Sequence, residues 1–164
     1  KTPKRMGNAH VNIVPYQVFA TRDGHLVLAV GNDGQFQRFC EVAGHPDLAF
    51  DPRYATNPAR VERREELVPI VAGWLRQRST SDWMAALEPR AVPCAPILEL
   101  PEVMRHPQVV ARGAQIERDG VPMVAAPMRF DGVRAVADRR PPKLDEHGES
   151  IRQSLRSGEG WPPA

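Results

Sequence analysis

Apolar and polar residues along positions 16–30 follow the pattern of two short strands joined by a tight turn. Strand-like residues occupy 16–21 and 25–30, and Asp23-Gly24 lies between them. An Asp-Gly pair favours a two-residue type I′ turn, whose central positions both need a positive φ. We therefore predict an antiparallel hairpin. Its second strand, HLVLAV, is almost continuously apolar, which indicates a core strand covered on both faces.

A helix is predicted directly after this strand, beginning near Gln35 with Asn32 or Asp33 as its cap. Apolar residues then recur at helical spacing, at Phe36, Phe39, Cys40 and Val42. The start of this helix has two possible roles. Its free N–H groups could bind an anion, or the capping residues only end the loop while the neighbouring glycines allow the turn. The sequence leaves both interpretations open.

A long amphipathic run follows at 57–76, with apolar residues on one side. Charges of both signs occupy the other side and predict a solvent-exposed face, made of Arg60, Glu62, Arg63, Arg64, Glu65 and Glu66. Pro69 conflicts with a straight helix. Either the helix kinks there, or one helix ends near Leu67 and another begins with Pro69 in its first turn. Ser79-Thr80-Ser81 then caps a further helix, in which Trp83 is predicted to be a core anchor.

The second half of the chain is rich in proline, and its elements are predicted to be short. Residues 92–97, VPCAPI, have the pattern of an edge strand, because Pro93 and Pro96 cannot donate to a ladder, and this strand could pair beside the hairpin. Two short helices are predicted at 100–104 and 107–112. Extended segments that predict a hairpin or small meander follow at 114–118, 121–125 and 128–130.

These elements predict an α+β fold: a small mixed domain with an antiparallel hairpin and several helices, followed by an extended β-hairpin segment and a flexible tail. The predicted parts are a poorly ordered linker, the small domain, the extended segment and a disordered tail, at 1–9, 10–113, 114–150 and 151–164. The chain begins at Lys1 in a loop. We expect it to be a piece of a longer polypeptide.

Composition and charge exclude several classes of function. The 164 residues are 41% hydrophobic and 26% charged, and no apolar run approaches the ~20 residues of a membrane-spanning helix. A net charge of +2 without a basic stripe argues against nucleic acid. The five histidines and two cysteines have no metal-ligand spacing, so no metal site is predicted. Cys40 and Cys94 form no CxxC pair, which fits a reduced cytoplasmic protein.

The order and spacing of several short motifs carry a resemblance to a known family. These motifs are RMGNAH, NIVPY, the F-x-T-x-DG hairpin, VGND-x-QF, DPRYATNPARV and VPCAPI. Together they resemble the C-terminal third of the family III coenzyme A transferases, which include formyl-CoA and carnitine CoA-transferases and the α-methylacyl-CoA racemases. The resemblance covers roughly residues 5–147. In the family, the segment from 114 onward returns toward the large N-terminal domain.

The resemblance implies where substrate would lie. Family members carry a mobile, often glycine-rich loop that closes over the acyl-CoA, and the matching residues are His10, Val11, Asn12, Ile13, Val14, Pro15 and Tyr16. This loop has no glycine, so we expect it to be stiffer. A plain entry into the first strand is the alternative. The helix start at Asn32, Asp33 and Gln35 is a second candidate. Near the C-terminus, Asp145 occupies the family's glycine position, so the turn there is expected to need another geometry.

The resemblance also implies a function for the longer protein. The family nucleophile is an aspartate of the large domain, and no aspartate of this chain lies in a matching motif, so no catalytic residue is assigned and the fragment alone is predicted to be inactive. The implied substrates are acyl-CoA and a carboxylic acid, without a tightly bound cofactor. The implied partners are the chain's own large domain and a second copy in an interlocked homodimer. An acyl-CoA racemase and a non-catalytic α+β interaction module are the alternatives.

Overall fold

A three-stranded antiparallel sheet, in the order β1-β2-β3, organises the first part of the chain. The strands are β1 (Tyr16–Ala20), β2 (His25–Ala29) and β3 (Cys94–Pro96). In the computed structural model, which describes residues 5–158, β2 is central. Its Leu26 and Leu28 are fully buried, while Val27 and Ala29 on the other face are only half-buried. The central position was predicted correctly, but the two faces of β2 are buried unequally.

The hairpin is present, but its turn differs from the prediction. Ala20 pairs with His25, and the N–H of Thr21 donates to the carbonyl of Gly24 at 2.9 Å. Neither Asp23 nor Gly24 has a positive φ, so the type I′ turn on that pair is wrong. The carboxylate of Asp23 instead accepts the N–H of Thr80 at 2.8 Å. This tertiary contact, at the start of a helix 57 residues later, overrides the local turn preference.

Helix α1 (Asp33–Ala43) follows β2 as predicted. Asn32 is its N-cap, because its side chain accepts the N–H of Gln35 at 2.9 Å. Gly44 ends the helix in the left-handed conformation at φ 82°, where glycine has no steric penalty. A short 3₁₀ helix, Pro46–Phe50, comes next.

Three helices complete the first part of the chain: α2 (Asn57–Glu62), α3 (Arg64–Leu75) and α4 (Thr80–Leu87). The amphipathic run breaks at Arg63, whereas the sequence placed the break or kink at Pro69, which lies inside α3. A further short 3₁₀ helix, Glu88–Arg90, leads to β3. Ser79 caps α4 by accepting the N–H of Asp82 at 3.0 Å, as predicted.

The hydrophobic core lies between this sheet and helices α1, α3 and α4. Trp83 is 1% exposed and donates its indole N–H to the carbonyl of Leu75 at 2.9 Å, so it is the core anchor that was predicted. The buried members of the core are Val14, Phe19, Leu26, Leu28, Val30, Phe36, Phe39, Cys40, Ala49, Tyr54, Leu67, Val71, Leu75, Trp83, Leu87 and Val92.

The second part of the chain has two helices, two small hairpins and a terminal helix. Helices α5 (Leu100–Arg105) and α6 (Pro107–Ala111) match the two predicted helices. The extended segments form β4 (Gln115–Arg118) paired with β5 (Val121–Val124), and β6 (Arg129–Phe130) paired with β7 (Val133–Arg134). The α+β class is therefore confirmed.

Contacts divide the chain into two compact units between Leu98 and Glu99, whereas the sequence placed the boundary between 113 and 114. The physical reason lies in α5, whose Leu100 and Met104 line a groove together with Met123 of β5. Helical periodicity revealed these helices, but it did not reveal which strands they pack against.

The tail from 151 onward is helical where the structure describes it, so its predicted disorder is corrected. Helix α7 spans Gly148–Ser157, and residues 159–164 lie outside the described part of the chain. Asp145 just before α7 has φ 55°, in the left-handed region that non-glycine residues adopt less often. The expectation that this turn differs from that of the family stays a prediction. Of the predicted linker, residues 1–4 are not described, and Asn8 accepts the N–H of Val18 at 2.9 Å.

Candidate functional site

One face of the α2–α3 segment holds the backbone of the loop at 10–16. Asn57 and Arg60 lie one turn apart in α2, and Arg64 begins α3 just after the break at Arg63. Their side chains donate to carbonyl oxygens of the loop, at distances of 2.7–2.8 Å: those of His10, Val11, Asn12 and Val14. Because side chains satisfy these polar groups, the loop holds a defined shape without pairing in a sheet. We call these three donors the clamp.

Arg64 and Asn57 make the outer contacts of the clamp. One guanidinium nitrogen of Arg64 donates to the carbonyls of His10 and Val11 at 2.7 and 2.8 Å. The amide of Asn57 donates to the carbonyl of Asn12 at 2.8 Å and accepts the N–H of Val14 at 3.2 Å. The two residues therefore fix the loop backbone between His10 and Val14.

The rings of His10 and Tyr16 stack on the exposed side of the loop, with centroids 5.2 Å apart. The two residues also bond through the backbone, since the N–H of His10 donates to the carbonyl of Tyr16 at 2.9 Å. Nδ1 of His10 accepts the N–H of Asn12 at 3.1 Å, so a neutral His10 carries its proton on Nε2. This arrangement leaves the Nε2–H group as a donor for a ligand.

The other predicted loop residues divide between surface and core. Val11 is 62% exposed and Asn12 is also exposed, whereas Ile13 is half-buried. Val14 and Pro15 are buried, and Val14 belongs to the core. The loop therefore exposes His10, Val11, Asn12 and Tyr16 to solvent, while Val14 and Pro15 anchor it to the protein.

The start of α1 is built as a helix cap. Gln35 gives its N–H to Asn32, and its own side-chain oxygen accepts the N–H of Gly31 at 2.6 Å. The carboxylate of Asp33 lies in the first turn and pairs with Arg60 at 2.9 Å. With two N–H groups already satisfied and a carboxylate beside them, the geometry favours the capping interpretation over anion binding.

Arg60 is the functional candidate that the sequence analysis missed, because it was assigned to the solvent-exposed face. Its side chain is fully buried, and its guanidinium lies 4.4 Å from the ring centre of Phe36. Burial lowers the pKa of Arg60, and the hydrogen bond that its guanidinium donates to Asp33 opposes this effect. No local signal marked Arg60 for burial, since the buried Leu67 lies seven residues further along, about two helical turns away.

Other chemistry is limited in the described part of the chain. Between residues 5 and 158 no cluster of histidine, cysteine and acidic side chains could hold a metal ion. Cys40 is buried, which raises the pKa of its thiol to about 12, and Cys94 is half-buried with a raised pKa from the same cause. No helix within 5–158 is long and apolar enough to cross a membrane.

Comparison with known proteins identifies the class to which this fold and loop belong. Residues 1–148 match the family model described as CoA-transferase family III. The chain therefore belongs to CoA-transferase family III, which confirms the resemblance drawn from its motifs.

Individual relatives agree with this assignment. The chain is 41% identical to the succinate–glutarate CoA-transferase of Agrobacterium fabrum over 162 residues, which cover 96% of this chain and 40% of that protein. It is 36% identical to the succinyl-CoA:glutarate CoA-transferase of Mus musculus, covering 98% of this chain and 38% of that protein. The crystal structure of a CaiB/BaiF family protein from Brucella suis superposes with a TM-score of 0.80 at 44% identity, over 94% of this chain and 41% of that chain. The chain thus spans about two fifths of the length of these relatives.

Proposed function

We propose that this chain is the small-domain segment of an acyl-CoA:carboxylate CoA-transferase and contributes the loop that closes over the acyl-CoA. The observation that carries the proposal is the clamped loop, which fixes its backbone and leaves the His10–Tyr16 pair exposed. Family membership supports the reaction class. The names of the Agrobacterium and mouse relatives support succinate and glutarate, two short dicarboxylates, as the acids exchanged.

In this proposal the nucleophile comes from a domain outside these residues. Acyl transfer needs a free carboxylate that can hold the acyl group, together with donors to the oxyanion. Within this chain, the carboxylate of Asp33 already accepts a hydrogen bond from the buried guanidinium of Arg60. This ion pair stabilises the negative charge and makes Asp33 a poor nucleophile. The loop residues instead exclude water from the thioester and orient it.

We extend the proposal to the setting of the whole protein. The substrate is a CoA thioester, and no tightly bound cofactor is needed for this exchange. The working unit is a homodimer in which the second unit, 99–164, contacts the large domains. Two free cysteines, Cys40 and Cys94, support a reducing compartment, the cytoplasm.

A transfer assay on the protein with its large domain tests the proposal. Incubation with succinyl-CoA and glutarate should yield glutaryl-CoA and succinate, while residues 1–164 alone should give no product. Turnover by 1–164 alone, or no CoA transfer to any short acid by the whole protein, would contradict it. Epimerisation of a 2-methylacyl-CoA in place of transfer would favour the racemase alternative.

A matched histidine pair tests the role of the loop. His10→Ala in the whole protein should lower kcat/KM about tenfold or more, because it removes both the exposed donor and the stacking partner of Tyr16. His25→Ala is the control, since His25 is also exposed but lies at the start of β2. Equal activities of the two variants would argue against a closing loop at 10–16.

A further inference from the structure

Arg60 contacts both segments that the sequence analysis named as candidates for substrate contact, the loop at 10–16 and the start of α1. Its Nε donates to the carbonyl of Val14 in the loop at 2.7 Å, and its Nη2 donates to the carboxylate of Asp33 at the start of α1 at 2.9 Å. We infer that Arg60 is a positioning residue that couples the closing loop to the start of α1, so that the two segments move as one. The inference rests on the proposed function for its catalytic consequence, but not for the coupling itself.

The shape of the guanidinium makes this coupling directional. Its donors lie in one rigid plane, so the positions of Val14 and Asp33 relative to each other are set by a single flat group. A third nitrogen, Nη1, donates to the carbonyl of Tyr54 at 2.9 Å and keeps the plane from rotating. A lysine ammonium at this place could not reproduce three separated directions.

Burial makes the coupling strong. The side chain of Arg60 is fully buried against Phe36, so water cannot replace a broken contact. A buried charge that loses a partner costs far more than an exposed one, and the loop and the helix start therefore cannot separate independently. Asp33, in contrast, is 47% exposed in its side chain and can be changed without opening the core.

The rest of the clamp offers an internal comparison. The loop contacts of Asn57 and Arg64 hold the same backbone from outside the core. They explain why the loop has a fixed shape, but they do not reach Asp33 through any described hydrogen bond. In the part of the chain that is described, Arg60 is the side chain whose hydrogen bonds run from the loop to Asp33 of α1, beside a backbone hydrogen bond from the N–H of Val30 to the carbonyl of Pro15 at 3.0 Å. We therefore expect a change at Asp33 to alter the loop through Arg60.

Hydrogen exchange on the whole protein tests the coupling. Asp33→Asn keeps the shape of the side chain but removes its charge, and we expect faster amide exchange both in peptides covering 31–36 and in those covering 10–16. Arg60→Lys should accelerate exchange in both segments more strongly. Arg63→Lys is the matched control, because Arg63 pairs with the exposed Glu62 and should leave both segments as in the parent. Faster exchange confined to 31–36 in Asp33→Asn would overturn the inference.

Kinetics of the same variants test its catalytic consequence. We expect Arg60→Lys to lower kcat about 10- to 100-fold, with KM for acyl-CoA changed less than about threefold, because a misplaced loop impairs the transition state more than substrate binding. A raised KM at unchanged kcat would contradict positioning. If Arg60→Lys does not fold, the amide exchange, kcat and KM of Asp33→Asn test the inference in its place. If the parent enzyme transfers no CoA, the proposed function fails, while the exchange data still decide the coupling.

Discussion

The two units of this chain differ in how they bury apolar surface. Every member of the hydrophobic core lies before Leu98, in the unit that also carries the clamp. Within 99–158, the buried side chains are those of Ala125 and Ser154, while Leu100, Val124 and Phe130 are each about two thirds exposed. The first unit therefore contains the contacts needed for its own stability, and the second unit has elements without a comparable core. Regular secondary structure alone does not make a stable unit.

Separating the units gives the largest expected effect. Residues 1–98 expressed alone should unfold in one cooperative urea transition, because their core is complete. Residues 99–164 alone should lose their structure gradually, without such a transition. Circular dichroism across the urea series would measure both. A cooperative transition of the isolated second unit would contradict the comparison.

A matched pair of leucines tests the same contrast in the intact chain. Leu28→Ala should lower the free energy of unfolding by about 2–5 kcal/mol, since Leu28 is fully buried in β2 and its loss leaves a cavity. Leu100→Ala should change it by less than about 0.5 kcal/mol, because Leu100 is 65% exposed. Urea denaturation would measure both changes: the unfolding midpoint shifts, while the dependence of the free energy of unfolding on urea concentration stays constant. Similar losses for the two variants would mean that the second unit shares the core's cooperativity.

Acid unfolding provides the smallest and most specific test. The N–H of Thr80 holds the pKa of Asp23 below its usual value, and Asp23 is exposed. A depressed folded-state pKa contributes stability that is present above the unfolded value of about 3.9 and is lost as pH falls through the folded value. Asp23→Asn should therefore reduce the loss of stability of the first unit when the pH is lowered from about 5 to below 4.

The control for this test lies in the second unit. The hydrogen bond from Arg140 lowers the pKa of Glu146 to about 2, a larger shift than capping contacts usually give. Glu146→Gln should nevertheless leave the acid unfolding of the first unit unchanged, because Glu146 belongs to the unit without that core. Urea titrations at a series of pH values, followed by near-ultraviolet circular dichroism, would compare the two variants. An effect of Glu146→Gln equal to that of Asp23→Asn would contradict the division.

Elements set by local chemistry could be predicted from the sequence. The cap of α1 at Asn32, the edge strand at Cys94–Pro96 and the helices before and after His106 each depend on residues within a few positions. The turn at Asp23 could not be predicted, because its side chain is used by α4. The helix at Gly148–Ser157 was missed because it is mostly polar and its apolar residues are only Ile151 and Leu155, one turn apart.

The candidate site also depends on contacts between residues far apart in sequence, and these could not be predicted. The loop from His10 to Tyr16 was proposed through motif resemblance, whereas Arg60 and Arg64 of its clamp were interpreted as part of a solvent-exposed charged face. Mixed charges at helical spacing usually do face water. Arg60 departs from that rule because the carbonyls of Val14 and Tyr54 and the carboxylate of Asp33 surround its guanidinium. No residue within one turn of Arg60 indicates that its hydrogen-bond partners lie 27 and 46 residues away in the sequence.

The outer strand of the sheet, β3, has a consequence for how the protein behaves when crowded. The backbone groups of Pro93 and Ile97 bond to β2, so those of Pro96 point to the free border, which lacks an N–H donor there. An added extended peptide would lack a hydrogen-bond donor at this position and could not continue the ladder regularly. Proline at this border therefore protects the chain against fibril-like stacking while still letting β3 cover β2.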